Sequence, residues 1–181
     1  MAQFGQNKST WSRLTSGNTG IIIYAILGVV AAFALHKFLG FALQTSLPVV
    51  AVVSSSMQHN NPELTHYSWL EKNMGYNRSY IDSFPFKDGF LIGDMPIVQG
   101  SDKISVGDVI VYSVPGQSVP IIHRVIKINS DGTYQTKGDN NNSQLVYEQS
   151  VSKEQIHGKV IFIIPKLGYF KVFATKLFGV F

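Results

Sequence analysis

The chain has 181 residues, no cysteine, a net charge of +4 and a charged fraction of only 14%, against about 25% in soluble domains. Without cysteine, disulfides and thiolate metal sites are excluded, and the fold must rest on its core. The lysines are scattered and no basic run is interleaved with aromatics, which argues against a nucleic-acid surface, while the mild positive excess suits anionic lipid head groups.

Residues 1–19 are polar, with Lys8 and Arg13 as their only charged side chains, and read as a disordered tail. Residues 20–43 are apolar apart from His36 and Lys37. As a helix they would extend about 36 Å, enough to cross a hydrocarbon core of about 30 Å. A cleavable signal peptide or a buried soluble helix would be the other readings. The segment is too long for the first and too continuously apolar for the second. Lys8 and Arg13 place the tail on the cytoplasmic side and the bulk of the chain outside.

Leu47 to Met57, LPVVAVVSSSM, follows directly. Val49 to Val53 has the unbroken apolar character of a buried strand, and it ends at three serines. Beyond it, about residues 60–88 read as a helical insertion. Asn61 and Pro62 form its start, Leu64, Tyr67, Leu70 and Met74 share a face, and Gly75 is the stop. From Phe90 onward the periodicity is that of strands, at Leu91–Val98, Val109–Val114, Ile121–Ile128, Thr133–Thr136 and Lys159–Ile164. Ser130-Asp131-Gly132 is a hairpin turn. Gly-Asp recurs at Gly93-Asp94, Gly107-Asp108 and Gly138-Asp139, and at least one of these pairs is expected to be turn chemistry alone. The last stretch, 166–181, sets Phe170, Phe173, Ala174 and Leu177 on one helical face. It reads as an interfacial amphipathic segment or a last core-packing element. The predicted class is a mainly β catalytic domain, residues 47–165, behind one N-terminal transmembrane helix, with a small helical insertion and a C-terminal amphipathic segment.

Ser56 after an apolar strand, His123 within PIIHRVI and Asp139 within TKGDNN form a candidate constellation. A serine hydroxyl needs a neighbouring base, a histidine titrating near neutrality can serve, and a carboxylate can fix its tautomer. Their spacing alone does not bring them together. His59 and His66 have no carboxylate or third histidine at ligand spacing beside them and read as loop residues, so no metal or other cofactor is implied. Asn77-Arg78-Ser79 and Asn141-Asn142-Ser143 are glycosylation sequons.

The wording around these residues resembles the type I signal peptidases, in particular the archaeal and endoplasmic-reticulum branch. The likeness lies in Leu47 to Met57, GDVIVY at 107–112, PIIHRVI at 120–126, TKGDNN at 136–141 and, less closely, residues 158–168. It implies a signal-peptidase-like β fold and a single-pass membrane serine endopeptidase of the cell membrane that removes signal peptides from exported preproteins. Its partners would be preproteins, lipid and the protein export channel. Ser56 maps to the nucleophile, His123 to the general base and Asp139 to the aspartate of the GDN box. Ser54 maps to the residue that completes the oxyanion hole with the Ser56 N–H. The chain departs from the family pattern at Ser55, where glycine is usual, and at His59, where proline is common. It also departs at Leu145, where many members carry the second aspartate assigned to the triad. The orienting acid is therefore Asp139 or Asp108, or the site is a Ser-His dyad. A non-catalytic membrane-anchored binding module is the competing reading.

Overall fold

The computed structural model describes residues 17–169. The tail up to residue 16 and the helical face of Phe170, Phe173, Ala174 and Leu177 lie outside them.

Helix α1, Gly17–Ala42, has 26 residues and is about 39 Å long. Large apolar side chains are exposed all round it, among them Ile21, Val29, Phe33 and Phe41. A helix apolar on every side has no stripe for a soluble core, and this one is long and apolar enough to cross a membrane.

The rest of the chain is built on a five-stranded antiparallel sheet, in the order β1-β5-β2-β3-β4. Its strands are β1 Met95–Gln99, β2 Val109–Tyr112, β3 Ile121–Ile128, β4 Tyr134–Lys137 and β5 Ile156–Ile164. All four residues of the central β2 are buried. Its side chains alternate between two cores: Val109 and Val111 join Val52, Met57, Phe90, Val98 and Val160, and Ile110 and Tyr112 join Ile104, Val125, Tyr134 and Val151. Burial on both faces is why this strand reads in sequence as an unbroken apolar run. Val49 to Val53 is an irregular extended segment rather than a full strand. It lies along the β1 edge through Val50 N to Pro96 O, Val52 N to Asp94 O and Val98 N to Pro48 O, with Val49 bridging Ile97.

The helical insertion begins as a π turn, Glu63–Tyr67, and continues as α2, Ser68–Met74, and α3, Arg78–Asp82. The Asn61 carbonyl, not its side chain, takes up the first N–H groups, from Leu64 and Thr65. Gly75 ends α2 in the left-handed conformation, as its sequence position predicts. Leu70, Ile81 and Phe84 pack with Ile126 of β3, which ties the insertion to the sheet.

All three Gly-Asp pairs lie at turns, the third closed by Asn141 N donating to Gly138 O. Gly93 and Gly107 have positive φ, and the following carboxylates, Asp94 and Asp108, accept from the N–H of Leu91 and Ser105. Gly158 of β5 has φ 152, and a Cβ there would lie 2.3 Å from the Gln99 carbonyl oxygen of β1. Gly158→Ala is therefore expected to destabilise the sheet by about 1–3 kcal/mol, read as a lowered midpoint in thermal unfolding of the full chain in detergent.

Candidate active site

Ser56 stands where the extended segment leaves the β1 edge. The next residue, Met57, is 1% exposed and packs into the core, so the loop is anchored immediately behind the serine. Gln58 N closes a turn onto Ser55 O, and Phe90 N donates to Met57 O. Ser56 Oγ lies 3.1 Å from Ser54 Oγ. The Ser56 backbone N–H has no hydrogen-bond partner among the described residues.

His123 and Arg124 are neighbours on a regular stretch of β3, paired with Ile110 and Val109 of β2. Adjacent residues of a strand leave the sheet on opposite faces, and here that decides the site. On one face His123 Nδ1 meets Glu148 Oε1. Glu148 is fully buried, and its other oxygen accepts from Leu145 N at 2.6 Å. A one-turn 3-10 helix, Val146–Glu148, brings it back toward the sheet. On the other face Arg124 is also fully buried, and Asp139 belongs to it. Nε donates to Asp139 Oδ1 at 2.9 Å and Nη2 to Oδ2 at 2.7 Å, while Nη1 serves Pro85 O and Gly107 O and Nη2 also serves Phe86 O.

The expected pairing of Asp139 with His123 is therefore not formed. The carboxylate at the imidazole is Glu148, and Asp139 lies on the Arg124 face. Asp108, the other candidate acid, is engaged elsewhere, with Ser105 N at 2.9 Å and Lys159 Nζ at 3.1 Å. A dyad without an acid does not describe the site either. Glu148 lies three residues beyond Leu145, the position to which the family pattern points for a second acid. The usable signal was that Glu148 is the first carboxylate after Asp139 in the chain.

Ser54, Ser56 and His123 line one groove of about 340 Å³, walled by Ala51, Val52, Val53, Pro120, Ile121, Ile122, Leu145 and Tyr147. Gly138 packs closely against both Ser56 and His123. A Cβ there would come within 2.8 Å of His123 Nε2, the Ser56 carbonyl oxygen and Asn141 Nδ2 alike, so only glycine lets the GDN loop pass beneath both residues.

His59 and His66, read from sequence as isolated loop residues, both reach Asp139. His59 Nε2 is 3.0 Å from Oδ2 and His66 Nδ1 is 3.3 Å from Oδ1. Burial alone would raise the Asp139 pKa. Arg124 beside it, with hydrogen bonds from His59, His66 and Arg124, instead holds it well below the usual carboxylate range. Burial lowers the Lys137 ammonium to about 8, against the opposing pull of Asp139 and Glu148. Its Nζ donates to Thr65 O and Gly138 O.

The chain is 28% identical over 163 residues to the signal peptidase complex catalytic subunit of Schizosaccharomyces pombe, covering 85% of this chain and 81% of that protein. It is 28% identical over 156 residues to that of Scheffersomyces stipitis, covering 81% and 76%. It is 29% identical over 153 residues to that of Metarhizium robertsii, covering 80% and 74%. Its homologues are catalytic subunits of the signal peptidase complex. No family model matches the chain. The matched span is far wider than the boxes that carry the resemblance, so the likeness to these signal peptidase subunits extends over most of the molecule.

Because the folded-state pKa of Asp139 is depressed, its stabilisation is complete above about pH 4 and is lost as pH falls below that value. Asp139→Asn is expected to cost about 3–5 kcal/mol at neutral pH by leaving Arg124 buried and unpaired. It should also flatten the acid dependence, and both effects can be read from unfolding of the full chain at neutral and acidic pH.

Proposed function

We propose that this protein is a membrane-anchored serine endopeptidase that removes signal peptides from preproteins. Ser56 is the nucleophile, His123 the general base and Glu148 the acid that orients it. The observation that carries the reading is the buried Glu148 at His123 Nδ1, in the groove that also holds Ser56. A carboxylate at Nδ1 keeps the proton on that nitrogen and leaves Nε2 free to accept one.

The reaction then follows. A preprotein lies extended in the groove, against the apolar walls of residues 51–53 and 120–122. His123 Nε2 takes the Ser56 proton as Oγ attacks the scissile carbonyl. The oxyanion receives the Ser56 N–H and the Ser54 hydroxyl, and such donors are worth about 3–4 kcal/mol each where they have been removed. Glu148 stabilises the imidazolium. His123 returns the proton to the leaving amine, then activates the water that hydrolyses the acyl-enzyme. The Ser56 hydroxyl is hydrogen-bonded to Ser54, and the mechanism requires it to exchange that partner for His123 Nε2. Likeness to catalytic subunits of a complex supports further membrane subunits as partners. In this reading residues 1–19 are cytoplasmic, α1 spans the cell membrane, and residues 47–165 form the extracytoplasmic catalytic domain, beside the export channel and followed by a membrane-associated end at 166–181.

Full-length protein in liposomes, given a preprotein with small residues before the cut, is expected to cleave it. Ser56→Ala and His123→Ala should abolish cleavage. Glu148→Gln should lower kcat by about 10³–10⁴-fold, as loss of the correct imidazole tautomer does elsewhere. Full activity in Ser56→Ala would overturn the mechanism. Binding of the preprotein without cleavage by wild type would favour the non-catalytic binding module.

A further inference from the structure

The proposed chemistry leaves His59 and His66 unused, yet both converge on one buried carboxylate. Their side chains are 11% and 4% exposed and that of Asp139 is 2%, with the two rings 5.0 Å apart between centroids. Each oxygen of Asp139 takes a bond from Arg124, Oδ2 is also hydrogen-bonded to His59 Nε2, and His66 Nδ1 lies 3.3 Å from Oδ1. The loop carrying Asp139 is also fastened to the nucleophile. Asn140 N donates to Ser56 O at 2.8 Å and Asn140 Nδ2 to Ser55 O at 3.1 Å. Lys137 Nζ joins Thr65 O, just before His66, to Gly138 O, just before Asp139, at 2.7 and 2.9 Å. The segment from Ser55 to His66 is thus pinned to residues 137–140 at its start, at His59 and at its end.

We infer that His59 and His66 are positioning residues for Ser56. As N–H donors to Asp139, from Nε2 and Nδ1 respectively, they lock the nucleophile segment onto the GDN loop and fix the height of Ser56 against His123. The inference rests on the serine-peptidase reading of the groove. The same three residues offer one ligand atom each within 4.8 Å of one another, which raises the question of a metal ion instead. Arg124 decides it. The carboxylate is already neutralised by a fully buried guanidinium bound to both its oxygens, and a divalent ion would have to sit beside that charge. The histidine contacts at 3.0 and 3.3 Å need no ion to explain them.

Misplacing a nucleophile by about 1 Å costs on the order of a hundredfold in rate, and the clamp lies apart from the apolar groove walls. His59→Ala and His66→Ala in the full-length protein are therefore expected to lower kcat for preprotein cleavage by about ten- to a hundredfold, leaving KM within about twofold. His59→Gln and His66→Asn keep an N–H donor at the reach of Nε2 and Nδ1 and should restore most of kcat, whereas His59→Leu and His66→Leu should not. Ring ¹⁵N spectra of the wild type should show opposite tautomers for the two histidines.

Unchanged kcat in both alanine variants, or leucine performing as well as the amide at either position, would overturn the inference. So would stoichiometric Zn²⁺ binding by the chelator-stripped protein that restores activity and is lost in both alanine variants. Ser56→Ala run beside them separates the two levels. If it still cleaves, the peptidase reading fails. If it is dead while the histidine variants cleave at the wild-type rate, the clamp alone fails.

Discussion

The structure depends on the guanidinium of Arg124. It is fully buried, and its donors reach Pro85 O, Phe86 O, Gly107 O and both oxygens of Asp139. One side chain therefore holds together β3, the end of the helical insertion, the turn before β2 and the GDN loop. A charge in such a place is tolerated only when every donor is satisfied and a counter-charge is present. The four partners are consequently fixed with respect to one another, because moving any of them would strand the charge. Phe84 adds its ring 5.9 Å from the guanidinium.

That constraint accounts for the location of the groove. With the GDN loop fixed by Arg124, Gly138 lies beneath His123 and the Ser56 carbonyl, and Asn140 can reach back to Ser55 and Ser56. The serine loop gains its other anchor from Met57 in the core. Rigid elements set from both sides give a catalytic arrangement the precision that a free loop would lack. The pair of carboxylates is divided accordingly: Asp139 serves the scaffold, and Glu148 faces the imidazole.

Much of this was legible in the chain. Twenty-odd apolar residues after a polar, basic tail specify a helix able to span a membrane, since a helix can satisfy its own backbone in lipid. Short apolar runs punctuated by Gly-Asp and Ser-Asp-Gly specify antiparallel strands and their turns, and the buried β2 and the turn at Gly132 stand where those signals put them. The Gly75 stop was readable because its physics acts within a few residues, whereas the Ser56 and His123 boxes were readable only through their resemblance to signal peptidases.

What the sequence could not determine is which carboxylate meets which base. Asp139 and Glu148 both follow His123 in the chain, Glu148 25 residues on, and no local pattern tells which of them meets the imidazole. The choice rests on strand alternation, which sends His123 to one face and Arg124 to the other, and on a short turn that carries Glu148 back to the imidazole. His59 and His66 look isolated for the same reason, because their partner lies 80 residues from His59 in the chain and touches it only after the insertion has packed on the sheet. Sequence by itself determined the helix long and apolar enough to cross a membrane, the strand class and the choice of Ser56 and His123 as the residues proposed for nucleophile and base. Tertiary structure alone set Glu148 at His123 and gathered His59 and His66 on Asp139, because those contacts depend on which face of a sheet a side chain leaves by and on what distant segment has been folded against it.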